Sequence, residues 1–432
     1  MNDGLQKYDS YVPVEYDYVK QLPIGWQLLP NIAIFEERIE RGYINEELLS
    51  VTINKGVIKQ TDVDIKKDSS NEDKSKYKLV EEGDIAINKM RMWQGALGFS
   101  QYRGIVSPAY IVLKPKMKIN LKFFHYMFRA SFYTNYSKRF SYGIVDDQLS
   151  LRYTDFKRMY SIVPPLEIQN FIVAYLDSKN EEIDKFIKSK ELLIALFIEG
   201  KNSIIFKAIT KGIKDICEMV NVKDSWLGCM PSGWKIYRGR QLFKIFGGLA
   251  PSEVKLVLNV EASKNAVDYY KVDDLNNTQG FMLNESSWKV ESKKIRVYSP
   301  NTILLPKRGA AIMTNKVTIT TTPATFDSNV MGIKVNERLV RTDYVSYWLK
   351  SRNLIELADI TTIPQLNNKH IYPLLIPLPN LEEQEEIINH IEMETKKLDL
   401  LIDKVRKEIS VIAEYRKSLI TNTILGKKAV CN

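Results

Sequence analysis

The chain repeats itself, and that repetition constrains its fold more than any single motif. Four blocks of the first half recur, in the same order, in the second half. The first is a Pro-X-Gly-Trp opening, Pro23-Ile24-Gly25-Trp26 against Pro231-Ser232-Gly233-Trp234. Pro and Gly punctuate a turn there, and the Trp anchors the segment after it. The second pairs Val80–Met90 with Tyr298–Arg308: a turn, a short apolar run and a basic exit, as for a strand that ends in a charged loop. The third is a helical block, Phe124–Ser131 against Val345–Arg352, with Tyr126/Tyr347 and Arg129/Lys350 in register. The fourth and longest aligns Leu166–Gly212 with Leu381–Lys427, matching Gln169/Gln384, Ile172/Ile387, Asp184/Asp399 and Ile209/Ile424. A solenoid needs three or more short repeats. Here one large unit is used twice, in a chain of 432 residues that is too long for one ordinary core.

The fourth block reads as a long helix in both copies. Pro164-Pro165 and Pro377/Pro379 stop whatever precedes it. Apolar residues then fall at Ile172, Leu176, Ile183, Phe186, Leu193 and Phe197, and at Ile387, Ile391, Leu398, Leu401, Val405 and Ile412. Steps of three, four and seven make a heptad-like stripe. A helix of this length would reach ~68 Å, and one apolar stripe on it needs a partner. Either each helix caps its own domain or the two pair, and the stripe favours pairing. The expected architecture is α+β: two similar α/β domains separated by two long antiparallel coiled-coil helices, with pseudo-two-fold symmetry.

Composition narrows the class. Hydrophobic residues make up 44% and charged residues 26%, enough for proper cores. The net charge of +10 suits a polyanionic partner, although a merely solvated surface can carry it too. No run of 18 or so apolar residues suggests a membrane span, and Met1–Gly4 does not open a signal peptide. Three scattered cysteines, Cys217, Cys229 and Cys431, fit a reducing compartment, and a cytoplasmic location is expected. Enzyme signatures are missing. There is no phosphate-binding G-x-x-x-x-G-K-[ST] loop. The three histidines, His125, His370 and His390, lack metal-site spacing. Ser107-Pro108-Ala109-Tyr110 approximates an adenine-methyltransferase motif but lacks its second proline. With no glycine-rich cofactor loop, it reads as a turn into the strand Ile111-Val112-Leu113.

Together the paired Pro-X-Gly-Trp openings, the helix starts Pro165-Leu166-Glu167-Ile168-Gln169 and Asn380-Leu381-Glu382-Glu383-Gln384, and the helix ends Ala208–Gly212 and Thr423–Lys427 resemble type I restriction–modification specificity subunits. Trp226-Leu227-Gly228 also fits the family's junction, and the resemblance runs from about Leu22 to Lys427. It implies a leader (1–22), a first target-recognition domain (23–163), a spacer helix (164–212), a linker (213–230), a second target-recognition domain (231–375) and a second spacer helix (376–427). It further implies a non-catalytic subunit that reads a bipartite site in double-stranded DNA across an unspecific gap of fixed length. Two methylation subunits would dock on it, joined by motor and nuclease subunits in the full complex. The chain itself would hold no cofactor or metal, S-adenosylmethionine and ATP being expected on the partners. The methylation subunit would flip its target adenine out of the duplex.

On this reading the first DNA-facing set is Lys89, Arg91 and Trp93, followed by Lys138, Arg139, Ser141, Tyr142, Gln148 and Arg152. The second set is Lys307, Arg308, Asn315 and Lys316, followed by Thr361, Thr362, Gln365, Asn367 and Lys369. Arg pairs bidentately with guanine, and Asn or Gln with adenine. Any single Lys or Arg has the plain alternative of a solvated charge or a phosphate contact, and Trp93 that of a core residue. Asn180, Glu181, Lys188, Lys396, Lys397 and Arg406 lie off the helical stripes and are candidates to face protein partners. Two rivals remain: a self-contained DNA adenine methyltransferase, which needs the missing motifs, and a coiled-coil scaffold without DNA affinity, which leaves two basic, similar domains unexplained.

Overall fold

The computed structural model describes residues 6–63, 73–144, 149–214, 217–259, 263, 266–291, 295–359 and 363–430. It forms two compact units: unit 1 is Met1–Glu191 with Arg406–Asn432, and unit 2 is Leu192–Val405. Two long helices, Leu166–Lys211 and Leu381–Ile424, each contribute a segment to both units.

In unit 1 an antiparallel four-stranded sheet runs in the order Phe35–Glu37, Tyr110–Pro115, Ile85–Asn88 and Leu97–Phe99. Strand side chains alternate between faces, and here both faces are covered. Ile85, Ile87, Ile111 and Leu113 join a core with Phe35, Phe124 and Phe128, the last two from the helix Leu121–Arg129. Ala86 and Val112 point the other way, into a second cluster with Leu49, Val51 and Val57. The first core also takes in Ile172 and Leu176 from one long helix and Leu419 and Ile424 from the other. Asp184 pairs with Arg416, and Lys190 Nζ lies 2.8 Å from Glu408 Oε2. The partner numbers fall as the first helix advances, so the two segments are antiparallel.

The leader is part of this unit. Tyr11–Tyr16 and Val19–Pro23 form a hairpin. Tyr11 Oη donates to the Gly426 carbonyl at 3.0 Å, and Ala429 N donates to the Gln6 carbonyl at 2.7 Å.

Unit 2 repeats the plan with a larger sheet. Six strands run in the order Phe243–Gly247, Val330–Val335, Ile303–Pro306, Thr318–Ile319, Met282–Leu283 and Thr278–Gln279, and a separate four-stranded sheet holds Leu256–Leu258, Trp288–Val290, Val267–Tyr270 and Ala324–Phe326. The helix Thr342–Ser351 buries Tyr344, Val345, Trp348 and Leu349 in a core shared with Ile205 and Ile209 of the first long helix and Ile387 and Ile391 of the second. Lys201 pairs with Asp399 at 2.6 Å and Lys214 with Glu383 at 3.7 Å, again an antiparallel sense. Asp184/Arg416 and Asp399/Lys201 are the same pair in the repeat. Exposed pairs of this kind contribute little stability, and their use is to fix register.

Stripe residues Ile172, Leu176, Ile183, Ile387, Ile391 and Val405 are buried, but Leu401 is 43% exposed and its neighbour Ile402 takes the buried position. Ile402 keeps the heptad with buried Thr395, and Val405 with buried Ile391, so it is Leu401 that lies one residue off the seam.

The repeated glutamines prove to be pins. Gln169 accepts from Asn120 N at 2.8 Å and donates to the Pro164 carbonyl at 2.7 Å. Gln384 accepts from Arg341 N at 2.9 Å and donates to the Leu339 and Pro379 carbonyls at 3.1 and 3.0 Å. Each is buried and joins the start of a long helix to the approach of a domain helix. Gln169→Leu and Gln384→Leu should each strand buried main-chain groups and cost about 1–3 kcal/mol in their own unit. Urea denaturation of each variant checks this.

His125 in unit 1 accepts from Phe99 N at 3.2 Å, and burial pushes its imidazole down to about 3. Because the folded state holds this group neutral, the unfolded chain takes the proton first. Its contribution is therefore intact above the free-histidine value near 6.5 and lost as pH falls towards 3, at up to about 1.4 kcal/mol per pH unit. His125→Gln should flatten that slope relative to the unaltered chain in denaturation series between pH 7 and 4.

Among the described residues no helix is long and apolar enough to cross a membrane, and no group of three or more His, Cys, Asp or Glu could hold a metal ion.

Candidate nucleic-acid interface

In unit 1 the candidate interface lies at the end of the strand Ile85–Asn88. Asn88 Oδ1 accepts from Met90 N at 3.0 Å and its carbonyl from Arg91 N at 3.1 Å, which turns the chain sharply. Met92 is buried as an anchor, and a single 3-10 turn, Met92–Gln94, ends at Gly95 with φ +85°. Arg91 is exposed at the start of this turn, whereas Lys89 and Trp93 are half-buried and the Trp93 indole nitrogen is buried. A second loop joins them, because Leu151 N donates to the Lys89 carbonyl at 2.9 Å, and mutual main-chain bonds between Tyr142 and Ser150 close its neck. Lys138 Nζ lies 4.9 Å from the centre of the Trp93 ring, and the Arg152 guanidinium 5.7 Å from that of Tyr142. Such cation–ring contacts hold flexible cations in place while leaving their charge available.

Lys89 is half-buried, with Nζ 3.4 Å from the Pro108 carbonyl. Loss of solvent, then the nearby charges of Lys78 and Arg41, hold its ammonium below the ordinary lysine value. The Glu37 carboxylate, which pairs with Lys78 at 2.7 Å, offsets part of this. Arg41, exposed and one bridge from Lys78, carries no sequence signal for this face, since it lies far from Lys89 along the chain. Ser107–Tyr110 is a turn, Tyr110 N donating to the Ser107 carbonyl at 3.0 Å, and it leads into the strand Tyr110–Pro115.

Other members of the first set are engaged internally. Arg139 Nη1 bonds both carboxylate oxygens of Asp17, at 2.6 and 2.8 Å, and Ser141 Oγ donates to the Ser137 carbonyl at 2.9 Å. Gln148 lies outside the described residues.

Unit 2 uses the same construction. The strand Ile303–Pro306 delivers Lys307 and Arg308, and Leu366 N donates to the Lys307 carbonyl at 2.9 Å, the counterpart of the Leu151–Lys89 bond. Arg308 and Gln365 form a bridge, and Gly309 N donates to the Pro364 carbonyl at 3.0 Å. Lys307, Arg308 and Gln365 are thus brought together. Lys316 is half-buried in a cavity of about 580 Å³ with Lys201, Tyr347, Lys350 and Asp399. Lys369 pairs with Asp359 at 2.7 Å, and Asn367 N donates to His370 Nδ1 at 3.0 Å. Asn315 turns its amide inward, to the Lys350 carbonyl and Leu354 N. Thr361 and Thr362 lie outside the described residues. Two cation–ring pairs escape a sequence reading, Lys271 over Trp288 at 3.8 Å and Arg296 over Phe246 at 4.6 Å, because cation and ring come from separate segments.

Of the residues off the helical stripes, Glu181, Lys188, Lys396, Lys397 and Arg406 are exposed. Glu181 pairs with Lys185 and Lys397 with Glu394 along the same helix. Asn180 is half-buried and donates to Tyr126 Oη at 3.1 Å.

Several known proteins are similar to this chain. Residues 231–410 match the type I restriction modification DNA specificity domain. The type I restriction enzyme MjaVIII specificity subunit of Methanocaldococcus jannaschii is 23% identical over 380 residues, covering 83% of this chain and 84% of that protein. A second protein of that organism, MjaX, provisionally described as another such subunit, is 25% identical over 388 residues, covering 87% of this chain and 85% of its own length. Among solved structures, a chain from a study of complex assembly and conformational transition in a type I R-M system superposes with a TM-score of 0.70 at 13% identity, covering 93% of this chain and 98% of that one. The HsdS subunit of Thermoanaerobacter tengcongensis gives 0.50 at 14% identity, covering 96% and 99%. The likeness in structure establishes the fold, two α/β bodies with long paired helices. The matched domain over residues 231–410 and the near full-length relatives make this chain similar to the specificity subunits of type I restriction–modification systems.

Proposed function

We propose that this chain is the non-catalytic subunit that chooses the DNA sequence for a type I restriction–modification enzyme. Each unit would read one half of a split target, and the long helices, 46 and 44 residues, would fix the gap between the halves. The observation that carries this reading is the two-loop cationic face made by the same bond in both units, Leu151 N to Lys89 O and Leu366 N to Lys307 O. Phosphate contacts would place each face and side chains at base edges would select sequence. The faces differ in their residues, so the two half-sites should differ.

Two methylation subunits would dock along the helices, where Leu192, Leu196 and Leu400 stand exposed among Lys396 and Lys397. S-adenosylmethionine and ATP would belong to those partners and to the motor and nuclease subunits, with the whole assembly in the cytoplasm.

The test is co-expression with the methylation subunit and mapping of methylated adenines in host DNA. The expected result is a motif in two defined halves around a gap of constant length. Replacing residues 231–375 with the corresponding segment of another such subunit should then change one half only. Methylation by this chain alone would favour the enzyme rival, and absence of DNA binding even at low salt, where phosphate contacts are strongest, would favour the scaffold.

A further inference from the structure

We propose that Arg129 and Lys350 are matched positioning residues, each locking the basic loop of its own unit to a domain helix and so setting the stringency of that unit's half-site. The inference rests on the DNA-reading function proposed for the chain. Arg129 closes the helix Leu121–Arg129 and commits its guanidinium to main-chain carbonyls. Nη1 donates to Gly95 at 3.3 Å and Leu97 at 2.9 Å, and Nη2 to Ile53 at 2.5 Å and Asn54 at 3.0 Å. Gly95 is the left-handed residue that ends the 3-10 turn carrying Trp93, so the arginine grips the loop where its backbone reverses.

Lys350, its counterpart in the repeat, donates Nζ to the Asn315 carbonyl at 2.9 Å. Asn315 is the left-handed residue (φ +48°) that ends the turn Ala310–Thr314. Here the loop residue grips back: Asn315 Nδ2 donates to the Lys350 carbonyl at 2.7 Å and its Oδ1 accepts from Leu354 N at 3.0 Å. One unit therefore uses a multidentate Arg with a Gly that has no side chain to offer. The other uses a single-headed Lys with an Asn that bonds in return. The same junction is made by complementary chemistry, which marks the junction, rather than either side chain, as the thing preserved.

Both residues are half-buried and their cationic heads are engaged by main-chain carbonyls, so their donors are committed within the unit. Their effect must pass through the loop. That loop is already held at its other end, through the Lys89 and Lys307 carbonyls. With both ends fixed, Arg91 and Arg308 emerge from a backbone of defined path, and discrimination between bases requires placement to within about half an ångström. A loosened loop still offers its charge to phosphate but no longer holds one geometry against a base edge.

The experiment uses the full chain co-expressed with its methylation subunit, and reads methylated adenines at the cognate and singly mismatched sites. Lys350→Met should raise the ratio of mismatched to cognate methylation at least about tenfold in one half of the motif, the share carried by one base contact, with the other half unchanged. Arg129→Met should do the same in the opposite half. Lys350→Arg, which keeps a donor, should hold the ratio near that of the unaltered chain. Asn315→Gly tolerates the left-handed backbone and removes only the reciprocal bonds, so it tests the same half if Lys350→Met fails to fold. Reduced total methylation with an unchanged motif in every folded variant would overturn the proposal. Absence of a split motif in the unaltered chain would instead overturn the DNA-reading function, and this inference with it.

Discussion

Replacing Gly426 with valine should lower the melting temperature of unit 1 by about 10 °C while unit 2 melts unchanged. Gly426 ends the second long helix at φ +65°, the left-handed conformation in which a β-branched residue is a genuine outlier. A Cβ there would stand 2.7 Å from Cγ and Cδ of Pro23 and 3.0 Å from Cζ3 of Trp26, and its carbonyl receives the Tyr11 hydroxyl. The Pro23 ring is stiff, so the strain cannot be shed by turning a side chain. Conformational strain and overpacking together should cost about 4 kcal/mol. Gly25→Ala is the control, with a similar positive φ of +83° but nothing within 4 Å of the added Cβ, and it should cost only the backbone share. Gly212, which ends the first long helix in the same left-handed way at φ +73°, would bring a Cβ to 3.2 Å from the edge of Trp234 and no closer than 3.9 Å to Pro231, so valine there should destabilise unit 2 less. Calorimetry on the three variants decides the matter; a Gly426→Val protein whose transitions match those of Gly25→Ala would show that the glycine serves conformation alone.

The second large effect concerns DNA. A triple variant, Lys89→Ala, Arg91→Ala and Arg152→Ala, should bind target duplex roughly a thousandfold more weakly at 0.1 M salt in the complex with methylation subunits, since each such contact carries about 1–3 kcal/mol. If all three meet phosphates, the dependence of log K on log salt should also flatten by about 2–3. Arg139→Ala is the matched control. It removes a basic group from the same loop, but one already bound by Asp17, and affinity should stay within about twofold. Titrations at several salt concentrations give both numbers. A triple variant with normal affinity and slope would move the interface elsewhere on unit 1.

These contrasts show what the sequence could and could not convey. The duplication pointed to Gln169/Gln384 and Trp26/Trp234, and every one of these is a buried structural fastener, because the blocks that survive in both halves are those that solve the same packing problem. The long helices were legible from their stripes, since periodicity is local information. The exact seam was not: Ile402 rather than Leu401 is buried, and three consecutive apolar residues, Leu400, Leu401 and Ile402, leave the phase of the stripe open to a local reading. Among the candidate DNA-facing groups, Lys89, Arg91, Trp93 and Lys307 were proposed because they closely follow apolar strands. Arg139, Lys369 and Asn315 carry the right chemistry, but their engagement depends on Asp17, Asp359 and Lys350. A sequence displays a charge but not the distant group that neutralises it. Arg41 escaped notice for the same reason in reverse.

The glutamine pins have a consequence for how such a protein can change. Gln169 addresses Asn120 N and the Pro164 carbonyl; Gln384 addresses Arg341 N and the Leu339 and Pro379 carbonyls. All of these partners are main-chain atoms, which every residue supplies, with proline lacking only the donor. The fastening is therefore blind to the identity of the side chains it holds. A foreign domain whose backbone takes the same path would be accepted without compensating changes in the helices, so novelty in target choice could arrive by exchange of whole segments rather than by slow repair of a bespoke joint.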